Sequence, residues 1–363
     1  MSERLITAVM ILALLVSFSF RALLLINKIF DPDEFQHLHN AWMLAHGFIP
    51  YRDFWRDHTP LLMVVLSPFA RMFDESVLYL FVGRTVAFCA SVAIFAMVFW
   101  LTRTVGNAHA QIFAIFLLGL ELLFLRQTVE IRHDHMVVLA WLLGIGFHIH
   151  GRQRSSLRDH GLSGLSAGVG LLFSLKAIFA VASIGSALAL AILTQRSRSK
   201  RYDSVRPLAI FIVAAALPLF ILTLGMWLLG GATAMWRQVF VDILLYRPRE
   251  ASQYFMVGPH GLCMKSFKAA PIFWVCCASG LVLALSEVRT ASNRDRIAAI
   301  VLSVSLFWAG LAFFVFVPPS PQSIIPLVTL LAIFGGRFGE WLPEAIARQR
   351  GAFLRGGLTI GIA

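Results

Sequence analysis

The chain has 363 residues, of which 58% are hydrophobic and 14% are charged, and its mean hydropathy is +0.78. No soluble domain buries that much apolar surface, so the composition excludes a soluble protein and indicates an integral membrane protein. Lys and Arg number 31 against 19 Asp and Glu, a net charge of +12. The basic residues lie mainly in short loops between apolar runs, a pattern typical of membrane orientation, and we expect no nucleic-acid partner.

Apolar runs recur along almost the whole chain, and a helix needs about 20 such residues to cross the hydrocarbon core. The first run, Leu5–Ile26, has no small-residue cleavage site and predicts a retained span. The pattern predicts an all-α, polytopic membrane protein of about ten transmembrane helices, with an outer-facing loop of short interfacial helices. The predicted spans are 5–28, 77–102, 109–126, 133–150, 162–177, 178–194, 207–230, 269–286, 297–317 and 321–340.

Three loops rich in arginine predict the orientation: 151–161, 195–206 and 287–296. All three lie on the same side if the spans are counted as above, and the positive-inside rule makes that side cytoplasmic. Residues 162–194 decide the count, because a single long helix there would invert every later loop and place the basic 195–206 loop outside. We therefore expect two helices in 162–194 and a multi-pass protein of the cytoplasmic (inner) membrane.

The same count predicts one multi-span domain over residues 1–340. Its first large loop, 29–76, and its second, 231–268, then face outward, and the first is the candidate catalytic loop. Residues 60–73 are apolar but too short to cross a membrane. Residues 341–363 are predicted to form a short C-terminal tail.

The first outer loop is unusually acidic, because residues 30–76 hold seven acids against three bases. Asp31-Pro32-Asp33-Glu34 predicts a helix start, with Asp31 as the cap and Glu34 completing a capping box. One interpretation is that these acids only cap a helix. If Asp31 and Glu34 are used in this way, Asp33 remains to face a substrate, on the same helical face as His37.

Metal binding is not indicated by the pattern. His37 and His39 are two residues apart and do not share a helical face, so a common ligand would need an irregular loop. We expect no required cofactor, although a divalent metal stays possible. The four cysteines form no disulfide framework.

The pattern D-E-x-x-H-x-x-x-A-W-x-x-x-x-G-x-x-P-Y-R-D-F-x-x-x-H-T-P-L-L, starting at Asp33, resembles the first outer loop of GT-C membrane glycosyltransferases. Within that superfamily it resembles the protein O-mannosyltransferase-like and aminoarabinose-transferase-like enzymes. Arg126–Asp134 resembles their second outer loop, and Gly168–Lys176 resembles a glycine-rich span that ends in lysine. One departure is His58-Thr59-Pro60, where aminoarabinose transferases usually have Lys-Pro-Pro.

The resemblance implies an enzyme that moves a sugar from a polyprenyl-phosphate carrier to a lipid, glycan or protein acceptor on the outer face of the membrane. The hypothesis is an inverting transfer in which Asp33 is the general base and Glu34 orients the base or the acceptor. Basic groups would stabilise the leaving phosphate. The candidate phosphate-binding residues are Arg84, Arg132, Lys176 and His58, and the candidate positioning residues are His37, Arg52 and Asp134.

Two other interpretations concern the same charges. Arg126, Glu130 and Asp134 stand at i, i+4 spacing, which predicts a salt-bridged face if a helix continues through them. A non-enzymatic flippase or transporter of lipid-linked sugar would also explain ionisable groups within spans. It does not explain the acids concentrated in one outer loop, and the inverted repeats found in many transporters are not evident here.

Overall fold

The computed structural model describes residues 3–74, 76–194, 198–242, 258–288, 290, 292–315 and 321–360. In these ranges the chain is helical and contains no β-strand, and one isolated bridge joins Pro50 to Phe54. The predicted all-α class is confirmed. The α-helices, numbered in chain order, are α1 Glu3–Asn27, α2 Pro32–Ala45, α3 Leu61–Phe73, α4 Leu78–Thr102, α5 Ala108–Leu120, α6 Leu122–Gln127, α7 Asp134–Arg154, α8 Leu157–Phe173, α9 Ile178–Leu193, α10 Arg198–Leu228, α11 Ala232–Trp236, α12 Pro259–Ala269, α13 Pro271–Glu287, α14 Asn293–Val315 and α15 Ile325–Ile360.

Six helical segments in the described ranges are long and apolar enough to cross a membrane, and α12 with α13, bent by 105°, adds a seventh if counted as one span. Three further predicted spans are helical but shorter or less apolar: α5 with α6, α7, and α8. The predicted segment 60–73 forms α3, which has 13 residues. The six segments are Thr7–Asn27, Leu78–Thr102, Leu175–Leu193, Val205–Leu228, Asp295–Phe314 and Pro321–Pro343.

The segment 162–194 forms two helices, as the charge pattern predicted. Helix α8 ends at Phe173, and a 3₁₀ turn at Leu175–Ala177 leads into α9. This break places Lys176 at the same end of the bundle as the loop after α1 and the turn between α6 and α7. We call this end, with residues 28–60, 128–134 and 174–177, the site end.

Two glycines bring α8 into close contact with α10. A methyl group at Gly164 or at Gly168 would overlap the backbone carbonyl oxygen of Phe211 or Ala215, respectively. Small residues four apart let the backbones of membrane helices approach in this way. The contact fixes α8 and therefore the position of the turn that carries Lys176.

Two segments differ from the structure predicted for them from the sequence. Helix α15 continues through residue 360, so the residues predicted as a tail extend a helix that began at Ile325. The predicted second loop, 231–268, contains α11, a π-helical turn at Arg237–Val241 and α12, while its residues 243–257 lie outside the described residues.

Candidate active site

The start of α2 forms the predicted capping box. The Asp31 carboxylate accepts a hydrogen bond from the backbone N–H of Asp33 at 3.0 Å, and the Glu34 carboxylate accepts one from the backbone N–H of Asp31 at 3.0 Å. Acidic caps satisfy N–H groups that have no partner within the helix and complement its dipole. The acids at the head of α2 are therefore fixed by local structure.

Glu34 is fully buried and bound to Arg84. The guanidinium donates from Nε and Nη2 to the two carboxylate oxygens at 2.9 and 2.8 Å. Arg84 also donates to three carbonyl oxygens at the C-terminal end of α1, where a positive charge is favourable. These carbonyls belong to Leu25, Lys28 and Ile29.

These contacts change two predicted roles. Every nitrogen of Arg84 already donates to a protein oxygen, so the structure does not support Arg84 as a phosphate ligand. Glu34 has no surface exposed to a substrate. Its ion pair with Arg84 holds α1, α2 and α4 together.

Asp33 is the accessible acid of this helix turn, with 53% of its side chain exposed. Arg132 Nη1 lies 2.7 Å from its carboxylate, and the same guanidinium reaches Asp31 at 3.1 Å and Glu130 at 2.6 Å. Burial lowers the pKa of Arg132, but Glu130 and the other acids outweigh it, and the net pKa is raised. Arg132 is thus a permanent cation that holds Asp33 in place.

The turn that carries Arg132 is anchored on both sides. Arg21, buried in α1, donates to the Thr128 hydroxyl, and the backbone N–H of Ile131 donates to Glu34 at 3.1 Å. Glu130 binds Lys28 as well as Arg132. Since α6 ends at Gln127, the predicted helical face through Arg126, Glu130 and Asp134 is wrong.

Three histidines pack together beside Asp33, and we call His37, His58 and His133 the histidine cluster. The ring centroids of His58 and His133 are 3.9 Å apart, and His37 lies 5.7 Å from His133 and 6.4 Å from His58. Arg56 Nη2 lies 3.1 Å from His37 Nδ1. His133 did not emerge from sequence reasoning, because its partners come from two other segments.

His133 and the neighbouring Arg56 have buried nitrogen atoms without hydrogen-bond partners among the described residues. These atoms are Arg56 Nε and Nη1 and both ring nitrogens of His133. Burial is the main reason that the pKa of His37 and that of His133 lie well below the usual range of histidine, and neighbouring cations such as Arg56 add to it. Both rings are therefore neutral at neutral pH.

Asp134 and Lys176 extend the site toward its rim. Lys176 Nζ lies 2.8 Å from Asp134 Oδ1, and the lysine side chain is 25% exposed. Asp134 Oδ2 lies 3.6 Å from His133 Nε2. Arg132 and Lys176 lie at the same end of the bundle, because Arg132 pairs with Asp33 and Lys176 pairs with Asp134.

The remaining predicted site residue lies apart from the cluster. Arg52 is exposed, pairs with Asp53 at 2.9 Å and donates to the backbone oxygen of Leu229. His39 is exposed and stacks on Trp42, away from His37. Among the described residues no group of three or more His, Cys, Asp and Glu is placed to hold a metal ion.

Gln238 holds the loop that carries Arg56. Its side chain donates to the Tyr51 carbonyl at 3.0 Å and accepts from the Arg56 backbone N–H at 2.9 Å. Tyr51 has a positive φ of 66° and donates from its hydroxyl to the His58 carbonyl at 2.8 Å. Gln238 lies in the π-helical turn far along the chain, so no local sequence signal identifies it.

Residues 57–227 match the family model described as dolichyl-phosphate-mannose-protein mannosyltransferase. A comparison with curated proteins gives no match. The matched range includes Arg132 and Lys176 but begins after Asp33.

Two solved structures are similar over nearly the whole chain. One is the oligosaccharyltransferase AglB from Archaeoglobus fulgidus in complex with an inhibitory peptide and a dolichol-phosphate, with 13% identity and a TM-score of 0.64 over 95% of this chain and 51% of that chain. The other is ArnT from Cupriavidus metallidurans bound to undecaprenyl phosphate, with 14% identity and a TM-score of 0.64 over 97% of this chain and 64% of that chain.

The chain thus spans about half the length of AglB and less than two thirds of ArnT. At these identities the likeness is one of fold, and that fold is the transmembrane bundle of two glycosyltransferases. Together with the family-model match over residues 57–227, it makes the chain similar to the GT-C group of membrane glycosyltransferases.

Proposed function

We propose that this protein transfers a sugar from a lipid-phosphate carrier to an acceptor hydroxyl, with Asp33 as the general base. The observation that carries the proposal is that the three acids at the start of α2 make different contacts. Asp31 caps the helix and Glu34 is buried against Arg84, while Asp33 is half exposed beside a basic and histidine-rich surface. A carboxylate in that position is available to accept a proton.

The proposed reaction is a single displacement. The acceptor hydroxyl gives its proton to Asp33 as its oxygen attacks the anomeric carbon from the side opposite the phosphate. The bond between that carbon and the phosphate oxygen breaks, and its electrons remain on the lipid phosphate. The configuration of the sugar is therefore inverted. Arg132 keeps the Asp33 carboxylate in one orientation, which favours attack from a fixed direction.

The charges near the leaving group support this course. Lys176 lies at the rim of the site, and Arg56 and the histidine cluster lie behind it. Fixed donors aimed at developing negative charge lower the barrier most effectively where water is excluded. The AglB structure contains a dolichol-phosphate and the ArnT structure contains undecaprenyl phosphate, which supports a polyprenyl phosphate as the carrier here.

The proposed orientation places the site end on the outer face of the cytoplasmic membrane. Turns at the opposite end of the bundle carry Arg103, Arg152, Arg154 and Arg158, whereas the site end carries most of the first-loop acids. Short loops rich in arginine stay in the cytoplasm. The acceptor, whether lipid, glycan or protein, would then be reached from outside.

A donor-cleavage assay tests the proposal. The protein is reconstituted in proteoliposomes with a radiolabelled polyprenyl-phosphate sugar, and an envelope extract supplies acceptors. We expect free lipid phosphate and labelled acceptor in equal amounts. Movement of intact donor across the bilayer without cleavage would contradict the proposal and indicate a transporter.

A further inference from the structure

Arg56 is a buried arginine with unused donors. The residue is 1% exposed and its guanidinium contacts the His37 ring through Nη2, and in the described ranges its Nε and Nη1 have no partner. The Gln238 side chain fixes the Arg56 backbone by accepting from its N–H. A buried charge whose donors are unpaired is costly unless a ligand completes them.

His133, whose ring packs near His37, is also buried with nitrogen atoms that have no hydrogen-bond partner in the described part of the chain. This holds for both ring nitrogens, although the ring packs on His58. The charged or titratable groups that face it are His37, His58, Asp134, Lys176 and Arg56. Those that face His37 are Arg56, His133, Arg132, Asp57 and His58.

We propose that Arg56, His37 and His133 form the subsite for the phosphate group of the lipid carrier, and that a proton enters the histidine cluster together with the phosphate. The inference rests on the proposed function and deepens it. Phosphate has several oxygen acceptors and pairs well with the fork of an arginine. The ligand would complete the donors that the protein leaves unpaired, with Lys176 at the rim of the subsite.

The direction of the proton linkage follows from the lowered pKa values of His37 and His133 in the protein alone. Burial, followed by the charge of Arg56 or of neighbouring histidines, holds the pKa of His37 and that of His133 well below the usual range. A bound dianion raises both values, so binding takes up a proton. The affinity for the phosphate must then increase as the pH falls from the histidine pKa with phosphate bound toward the histidine pKa in the protein alone.

This linkage suits the chemistry of the leaving group. The donor is a phosphodiester with one negative charge, and breaking its bond to the sugar leaves a monoester with two. The acceptor proton goes to Asp33, so the added charge must be met at the phosphate itself. A histidine cluster that takes a second proton from solvent as this charge develops binds the transition state more tightly than the intact donor.

The test measures binding of undecaprenyl phosphate to the full chain in lipid nanodiscs at pH 7.5 and pH 8.5. Both values lie above the second ionisation of a phosphate monoester at about 6, so the ligand itself is a dianion throughout. We expect affinity to fall by up to about tenfold over this unit, the limit for one linked proton. In His133→Asn we expect a flatter pH dependence, whereas a purely structural role would weaken binding equally at both values.

Charge removal tests the arginine. We expect Arg56→Gln to weaken binding roughly tenfold or more, as expected for loss of a charged hydrogen-bond donor. Arg126→Gln removes one arginine charge from an exposed position at the same end of the bundle, and it should bind as the wild type does. Wild-type affinity in Arg56→Gln overturns the subsite, and a flat wild-type pH profile overturns the proton uptake. If Arg56→Gln does not fold, the pH dependence of binding in His133→Asn decides whether the subsite is retained.

Failure of the subsite and failure of the proposed function give different results. Donor cleavage by the wild type with unchanged binding in the variants contradicts the subsite alone. Binding that depends on Arg56, without any donor cleavage by the wild type, retains the subsite and contradicts the transferase.

Discussion

Asp31, Asp33 and Glu34 lie within one helical turn and make different contacts. Asp31 accepts from the Asp33 backbone N–H, Glu34 binds Arg84 in the interior, and Asp33 is half exposed against Arg132. We therefore expect the loss of each of these three negative charges to affect the protein differently.

Glu34→Gln should destabilise the protein strongly, because it leaves the Arg84 charge buried without its anion. Removing one partner of a buried pair typically costs about 3–5 kcal/mol. Thermal unfolding in detergent measures the effect. The matched change Asp33→Asn should cost less than about 1 kcal/mol, since that pair is partly exposed.

The double variant Glu34→Gln/Arg84→Met serves as the control for this prediction. It removes both charges and should recover much of the stability, because apolar replacements of buried pairs are often neutral. A Glu34→Gln protein as stable as the wild type would show that the pair does not hold α2 to α4.

At the residue scale, sequence reasoning identified the capping box and selected Asp33, since both follow from spacing within one turn. It assigned Arg84 to phosphate because an arginine in a span suggests a ligand. The actual partner, Glu34, is 50 residues away in sequence. Long-range pairs of this kind, like Gln238 with Arg56, leave no local pattern.

At the scale of elements, apolar runs predicted most helices to within a few residues, but they did not predict breaks. The run 109–126 is interrupted at Glu121, whose carboxylate caps α6 and accepts from Ser266 at 2.6 Å. Hydropathy alone does not register one acid in such a run. The contact with Ser266 also joins α6 to α12, which lies within the predicted second large loop.

The contact between α8 and α10 gives a prediction about a single methyl group. Gly168→Ala should lower the yield and thermal stability of folded protein, because the added carbon overlaps the Ala215 carbonyl and must push the helices apart. Overpacking of this kind typically costs about 1–3 kcal/mol.

Gly161→Ala is the control in the same helix, since a methyl group there would lie 3.5 Å from Ile210, an ordinary contact. We expect it to match the wild type in the same unfolding measurement. Equal stability of the two alanine variants would show that α8 and α10 are not held at this distance by the glycines.

At the scale of the whole molecule, three separate segments meet at the site end: the head of α2, the turn 128–134 and the turn at Lys176. Counting spans from the basic loops predicted that Arg132 and Lys176 lie at the same end. The histidine cluster was not predicted, because it depends on how α2, the loop at Arg56 and the start of α7 pack together.

The orientation has its own test. In a variant without the native cysteines, Ile29→Cys at the site end should react with a membrane-impermeant maleimide added to intact cells. Arg158→Cys, exposed at the opposite end, should react only after the membrane is permeabilised. The reverse labelling would place the site end in the cytoplasm.

The most direct test of the central claim compares the wild type with Asp33→Asn in the donor-cleavage assay, with undecaprenyl phosphate binding measured on the same samples. We expect turnover to fall by roughly 10²-fold or more, in line with loss of a general base, while the variant still binds the lipid phosphate. Normal turnover in Asp33→Asn would contradict the account.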